Sequence, residues 1–243
     1  MPHQLLNVEE VARFLHLTVA DIEQRVKDGQ IPFEKRGERV VFLKREIDTW
    51  ASQHILGLPK RGLDEYHEKS THGTREFLPH EAILPEMIDL GAIASAMSSK
   101  TKGSVLRDLV ALAEKTGQLC DSKELLESLE EREQLCSTAL PGGLAIPHPR
   151  CHQPYLFECS FVVVGRTVQE IHFGAPDDQP TDLFFLLCCQ DDRMHLHTLA
   201  RICLMAQKTE LLSQLRAAPD AATLRDCIIA AEQEVLAGRK PAA

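Results

Sequence analysis

The sequence predicts an α/β protein in which helices pack around one sheet, with a smaller unit of short helices and a hairpin in front of it. After residue 83 helical and strand-like segments alternate, and two apolar runs, 157–164 and 183–189, are typical of buried strands. Residues 6–54 instead show two short amphipathic segments followed by a hairpin pattern. Helices mixed with buried strands favour a sandwich around one sheet for the larger part.

The first unit has the pattern of a helix-turn-helix with a wing. Apolar residues at helical spacing predict a first helix from Val8 to Leu15, and Thr18 is the expected N-cap of a second helix, with Asp21 three residues later. Gly29 is a natural stop for that helix. Residues 33–42 predict a hairpin and residues 43–52 a third helix, which completes the winged arrangement.

Four short patterns in this unit resemble the excisionase/MerR-type DNA-binding domain: Val8-x-Glu10-Val11-Ala12-x-x-Leu15, Gly29-x-Ile31-Pro32, Lys35-x-Gly37 and Ile47-Asp48-x-Trp50. The resemblance implies that the second helix enters the major groove and that the hairpin touches phosphates. The DNA-binding candidates are Thr18, Gln24, Arg25, Lys35, Arg36 and Arg39. The alternative is a protein-docking module, because Asp21 and Glu23 leave the second helix without net positive charge.

Residues 55–81 are predicted to be a linker, because glycine and proline interrupt a polar run with little periodicity. His67, His72 and His80 lie in this segment and could bind a metal. Neither cysteine nor regular histidine spacing supports that idea, so no metal and no cofactor is predicted. The eight cysteines of the chain include no Cys-x-x-Cys pair, and most are expected to be reduced structural residues.

The second unit contains a histidine in an unusual setting. His148 stands between Pro147 and Pro149, whose rings restrict the backbone, and small and apolar residues lead up to it. Imidazole is a nucleophile at neutral pH, and a phosphoramidate formed on it needs cationic support, which Arg132 or Arg150 could supply. The pattern therefore favours a histidine that carries a phosphoryl group.

Residues 125–138, together with Gly143-Leu144-Ala145-Ile146-Pro147-His148, resemble the IIA domain of the bacterial sugar phosphotransferase system. The resemblance is to the fructose/mannitol and nitrogen-regulatory branch of this family, and it extends over about residues 82–236. The resemblance implies a mixed sheet flanked by helices, as in the type 2 IIA fold. It also implies that His148 is phosphorylated, that Arg132 assists, and that His195 in Met194-His195-Leu196 is a second site histidine.

One position departs from that family, which usually has glycine where this chain has Pro149. Proline removes a backbone N–H that could face the phosphoryl group, and Arg150 is the candidate replacement contact. The Thr138 hydroxyl and the first amides of the helix that carries His195 are further expected contacts. The predicted domains are 1–54, the linker 55–81, and the IIA-like domain 82–243.

The expected partners follow from both resemblances. Phospho-HPr or its nitrogen-branch homologue is the expected phosphoryl donor, a IIB domain or a regulatory target is the expected acceptor, and DNA is expected at the first domain. The formal net charge of −9 arises outside residues 1–60, which hold nine basic and nine acidic residues. Neither a signal peptide nor a membrane span is visible, so a cytoplasmic protein is expected. The alternative is a transcription regulator whose IIA-like domain is only a sensor or dimerisation module.

Overall fold

A computed structural model describes residues 5–74, 80–150 and 153–238. Within these ranges a five-stranded mixed sheet has the order β4-β7-β8-β6-β5, and a small three-stranded sheet has the order β1-β3-β2. The strands are β1 Leu5–Leu6, β2 Glu34–Arg36, β3 Arg39–Leu43, β4 Ile93–Met97, β5 Ala139–Leu140, β6 Leu144–Ala145, β7 Phe161–Ile171 and β8 Thr181–Cys188. In the large sheet β4 runs parallel to β7 and β6 parallel to β8, whereas the other two pairs are antiparallel.

Helices account for most of the remaining described chain. They are α1 Val8–Phe14, α2 Val19–Lys27, α3 Lys44–Leu56, α4 Lys60–Thr74, α5 Leu84–Met87, α6 Lys102–Lys115, α7 Ser122–Leu135, α8 Asp192–Lys208, α9 Leu211–Ala217 and α10 Ala221–Ala237. None of the described helices is long and apolar enough to cross a membrane.

The large sheet separates two layers of helices. Successive apolar side chains of β8 point to opposite faces of the sheet, and each face is covered by helices. Leu183, Phe185 and Leu187 share one core with the apolar faces of α8 and α10. Phe184 and Leu186 point the other way and share a second core with α6 and α7. Side chains of a strand alternate between its two faces, so an uninterrupted apolar run serves both cores. The predicted α/β class with a mixed sheet flanked by helices is confirmed.

The small N-terminal unit is the predicted winged helix-turn-helix. Asn7 and Thr18 each form a capping box, at the starts of α1 and α2, which satisfies backbone N–H groups that a helix start leaves without partners. Gly29 takes the left-handed conformation that ends α2, at φ 67°. The hairpin of β2 and β3 then leads directly into α3.

The prediction of a linker over residues 55–81 is wrong for residues 60–74, which form α4. Leu63 and Tyr66 on this helix are buried in the core that also contains α8. His67 is buried as well and accepts a hydrogen bond from Nε of Arg201 at 2.6 Å. Apolar residues are sparse in this helix, and buried polar contacts hold the rest of its inner face, so its sequence lacks a clear helical period. His80 lies apart, 4.0 Å from a Glu86 oxygen, and the His72 side chain lies outside the described residues.

Candidate phosphorylation site

The backbone around His148 is fixed by the edge of the large sheet. The Ile146 N–H donates to the Thr138 carbonyl at 3.1 Å, and the Leu187 N–H donates to the Pro147 carbonyl at 2.9 Å. These bonds continue the strand pairing of β5, β6 and β8 up to the histidine. Because the preceding proline also fixes its own φ, the imidazole projects from a rigid segment.

The turn between β5 and β6 depends on two glycines. Gly142 and Gly143 have φ values of 88° and 83°, which side-chain-bearing residues rarely adopt. A Cβ on Gly143 would clash with the Arg216 guanidinium and would lie 3.0 Å from an Asp182 carboxylate oxygen. These glycines therefore set the register of β6 and hence the position of His148.

The hydrogen bonds of His148 define its tautomer. Nδ1 lies 2.9 Å from the Ile146 carbonyl oxygen, which can only accept, so Nδ1 carries the proton. Nε2 accepts the Arg132 Nε–H at 3.1 Å, so it bears the lone pair. The ring is thus held with Nε2 as its nucleophilic atom and Nδ1 as its anchored atom.

Arg132 reaches the histidine from α7. It lies on the same helix face as the core residues Leu125 and Leu129 and is only 1% exposed. Its Nη1 donates to the Cys136 carbonyl at 2.7 Å, whereas its buried Nη2 has no hydrogen-bond partner within the described part of the chain. One guanidinium nitrogen is therefore free to receive an anion beside His148 Nε2.

His148 is 2% exposed, and its surroundings keep it neutral. Burial lowers the pKa of the imidazole well below its usual value, and the positive charge of Arg132 lowers it further. A neutral ring retains the Nε2 lone pair at physiological pH, as a nucleophile requires.

His195 lies beside His148, with the two ring centres 4.9 Å apart and the planes tilted by 54°. It stands in the first turn of α8, directly after strand β8, as the sequence predicts. Its Nε2 is 3.4 Å from the Ser52 hydroxyl of α3. The structure therefore brings together the three predicted site residues, and it adds a residue of the N-terminal unit.

Side chains of α1 and α3 lie beside this site, at His195. Phe14, Asp48 and Ser52 line a cavity of about 30 Å³ together with His195, Pro149 and Arg150. Its volume admits about two water molecules. Nothing in the local sequence indicated these contacts, because they depend on how the two units pack.

Residues 86–231 match the family model of the phosphoenolpyruvate-dependent sugar phosphotransferase system, EIIA 2, which is more than half of the chain. The chain belongs to this EIIA type 2 family. Residues 5–55 match a helix-turn-helix domain model. Both resemblances predicted from the sequence are confirmed.

Several relatives of the EIIA type 2 domain are nitrogen regulatory proteins. That of Bradyrhizobium diazoefficiens is 34% identical over 141 residues, which cover 57% of this chain and 89% of the relative. The nitrogen regulatory protein of Pseudomonas aeruginosa is 30% identical over 134 residues, which cover 53% of this chain and 83% of the relative.

Solved structures share the EIIA fold. The nitrogen regulatory protein IIA-Ntr of Neisseria meningitidis superposes with a TM-score of 0.55 at 25% identity, covering 60% of this chain and 99% of its own. The mannitol IIA of Escherichia coli, solved in complex with phosphorylated IIB, superposes with a TM-score of 0.51 at 17% identity and covers 63% of this chain and 98% of its own. At that identity, the similarity to the mannitol IIA shows only that the fold is shared.

Two expected contacts of the EIIA site lie elsewhere. The Thr138 hydroxyl donates to the buried Glu133 carboxylate, so it does not face His148. The Asp191 carboxylate caps α8 by accepting the N–H groups of residues 193 and 194, which therefore do not stabilise an anion at His148. Arg150, the third expected contact, lines the cavity together with His195: its Nη1 pairs with Glu131 at 3.3 Å, and its buried Nε has no hydrogen-bond partner within the described residues.

The helix-turn-helix candidates do not form one patch. In α2 the Thr18 hydroxyl caps the helix, the Gln24 amide donates to Asp28 at 2.8 Å, and Arg25 lies 5.6 Å from the Trp50 ring centre. In the hairpin Arg36 is the direct partner of Arg39, so both point to one face. Lys35 pairs with Val40 and points to the opposite face.

We expect the low pKa of His148 to make unfolding pH-dependent. Below about pH 6.5 the unfolded chain binds a proton at this imidazole and the folded EIIA domain does not, so stability falls as pH decreases toward the folded pKa. The contribution is at most about 1.4 kcal/mol per pH unit. Urea unfolding of wild type and His148→Gln at a series of pH values measures it. Identical pH profiles would contradict the prediction, since the other buried histidines are common to both proteins.

Proposed function

We propose that this chain accepts a phosphoryl group on Nε2 of His148 from a phosphohistidine protein of the phosphotransferase system and that its helix-turn-helix domain couples this event to DNA. The observation that supports it best is the orientation of His148. Nδ1 is anchored on a carbonyl, and the Nε2 lone pair points at a buried arginine. This arrangement is one that a phosphoryl acceptor needs and a structural core histidine does not.

The chemistry is a transfer between two imidazoles. The His148 Nε2 lone pair attacks phosphorus, the N–P bond of the donor breaks, and the donor nitrogen leaves with the electron pair. The proton on Nδ1 stays in place, because the Ile146 carbonyl accepts its hydrogen bond throughout. No general base is needed, since the attacking nitrogen is already unprotonated.

Arg132 stabilises the charge that builds on the phosphoryl oxygens. Its Nη2 has no partner within the described residues, so the group can bind an oxygen without breaking an existing hydrogen bond. Its Nε–H, which now bonds to Nε2, turns to the phosphoryl group as the lone pair is consumed. A preorganised donor of this kind acts mainly on the transition state.

The test is incubation of the full chain with phosphoenolpyruvate, enzyme I and HPr, followed by intact mass and an acid-lability assay. The expected result is a gain of one acid-labile phosphoryl group. Parallel reactions use the nitrogen-branch carrier and the small donor phosphoramidate. Absence of labelling with all three donors would overturn the proposal.

In the same assay Arg132→Ala should slow phosphorylation by about 10²- to 10³-fold, because losing one preorganised donor costs about 2.7–4 kcal/mol. Arg132→Lys keeps a charge but cannot supply the fork of N–H groups, so it should rescue only part of the rate. Arg107→Ala, on α6, is the matched control. Wild-type rates in Arg132→Ala would remove this residue from the mechanism.

The DNA part of the proposal rests on the winged helix-turn-helix fold, the family match at 5–55 and the exposed hairpin. The balanced charge of residues 1–60 leaves few phosphate contacts, so we expect weak binding that needs a dimer or a second protein. Selection from random duplexes with the full chain tests it. Reversing the charges of Lys35, Arg36 and Arg39 should remove binding, whereas Lys123→Glu on α7 should not. Failure to enrich any duplex at low salt would identify the unit as a protein-docking module.

A second function is favoured by two observations, the burial of His148 and the proline at 149. In this alternative the chain regulates transcription and its EIIA domain senses a partner without passing on a phosphoryl group. The two functions differ in the fate of the label. Transfer from the phosphorylated chain to a IIB domain or another protein supports the carrier, and a label that remains on His148 supports the sensor.

A further inference from the structure

The N-terminal unit contacts the EIIA domain beside the candidate phosphorylation site through one particular surface. We call Phe14, Lys44, Asp48 and Ser52 the α1/α3 face. Lys44 Nζ pairs with Asp192 of α8 at 2.9 Å, and the Ser52 hydroxyl lies 3.4 Å from Nε2 of His195. The face therefore contacts the EIIA domain at the helix that carries the second site histidine.

Little space remains beneath this face. The cavity of about 30 Å³ there has room for about two water molecules. A donor protein must place its phosphohistidine within about 3–3.5 Å of His148 Nε2 for transfer to occur. His148 is 2% exposed, and Ser52 of the face contacts His195, whose ring centre is 4.9 Å from that of His148, so the face occupies the side of the site from which we infer that a donor must approach.

The carboxylates at the α1/α3 face are unfavourable for a phosphoryl group while the face contacts α8. Phosphorylation adds about −1.5 to −2 charges at neutral pH. The Asp48 carboxyl lines the cavity, and Lys44 holds it at 3.1 Å while also pairing with Asp192. Burial and the neighbouring Asp192 raise the pKa of Asp48 to about 7, against the effect of Lys44. A further anion in this poorly hydrated space would repel both carboxylates.

The contact between α3 and α8 has a polar part and an apolar part. Lys44 and Ser52 meet α8 through polar atoms, and polar contacts in an intramolecular interface separate more readily than apolar ones. Buried Ala51 and Ile55 of α3 belong to the same apolar core as α8 and as Leu63 of α4, so opening must also separate an apolar contact. Movement of α1–α3 about the segment before α4 would uncover His148 and leave α4 in the core.

We propose, on the basis of the phosphocarrier function above, that the α1/α3 face is a docking surface for the phosphorylation site and that it competes with the phosphoryl donor protein for His148. By reciprocity, a phosphoryl group on His148 weakens docking as much as docking hinders phosphorylation. The DNA candidates on α2 and the hairpin lie outside the α1/α3 face. Release therefore changes how a DNA-bound helix-turn-helix is held against the EIIA domain.

The first test compares labelling rates of full-length variants. Lys44→Glu places like charge against Asp48 and Asp192, and Ser52→Phe adds bulk against His195. Both should be labelled by phospho-HPr about 5- to 150-fold faster than wild type, the usual range of coupling between sites. Glu38→Ala changes an exposed residue of the hairpin in the same unit, away from the face, and should match wild type.

The outcomes separate the two proposals. Equal rates for wild type, Lys44→Glu and Ser52→Phe would overturn the docking inference and leave the carrier function standing. No labelling of any variant, by phospho-HPr or by phosphoramidate, would overturn the carrier function and the inference with it.

A second measurement does not depend on how the variants fold. Hydrogen exchange of the wild-type chain is compared before and after phosphorylation. Amides of α3 and α1 should exchange faster in the phosphorylated chain, whereas amides of α10 should not change. Unchanged exchange in α1 and α3 at full phosphate occupancy would overturn the inference.

Discussion

His148→Ala is expected to abolish acid-labile phosphate incorporation, the largest functional effect predicted for this chain. The variant removes the nitrogen whose lone pair accepts the Arg132 Nε–H, whereas Nε2 of His195 lies by the Ser52 hydroxyl. His172→Ala removes an exposed histidine of the same domain and should be labelled like wild type. The measurement is intact mass after incubation with phosphoenolpyruvate, enzyme I and HPr.

Two checks make this result decisive. Circular dichroism and urea unfolding establish that His148→Ala remains folded, since the substitution also removes an acceptor from a buried arginine. His148→Gln keeps an amide that can accept the Arg132 hydrogen bond but cannot form a phosphoramidate. Labelling of either variant at the wild-type level would place the acceptor on another residue.

The sequence predicted which three residues meet in the candidate site because each of them belongs to a local pattern. Pro147-His148, the helical position of Arg132 and the start of the helix that carries His195 can each be read along a few residues. The tautomer of His148 was not predicted, because it follows from the Ile146 carbonyl and from an arginine 16 positions away. Hydrogen-bond geometry of that kind is a property of the packed structure.

The sequence-based predictions failed where tertiary contacts, rather than the local sequence pattern, determine the secondary structure. Residues 60–74 are polar enough to suggest a linker, yet they form α4 because buried polar contacts and a few apolar side chains hold it against α8. Strand β4 was missed because Ile93–Met97 is short and mostly small, and its pairing with β7 comes from far along the chain. The contact of α1 and α3 side chains with the cavity beside His195 likewise joins distant segments.

A buried ionic network joins α4 to the EIIA domain, and it carries the largest stability effect we predict. Arg201 and Glu232 are both 0% exposed and pair at 2.5 Å. Glu232 also accepts the backbone N–H groups of Ile83 and Leu84 at 3.0 and 3.1 Å. Arg201 in turn donates to His67 of α4. One carboxylate thus connects α8, α10 and the start of α5, and through Arg201 it supports the helix that follows the helix-turn-helix unit.

Glu232→Ala should lower the free energy of unfolding by about 3–5 kcal/mol, because the Arg201 charge stays buried without this carboxylate and two amides lose their acceptor. Glu232→Gln keeps part of the hydrogen bonding and should cost less. Glu234→Ala, an exposed position on the same helix, is the control and should change stability by about 0.5 kcal/mol or less. Urea unfolding followed by far-UV circular dichroism measures all three. Burial raises the pKa of Glu232, because its charged form is better solvated in water than in the core. Glu232 therefore stabilises the fold mainly by compensating the buried charge of Arg201. A loss below about 1 kcal/mol would mean that Arg201 finds another partner or water on small rearrangement.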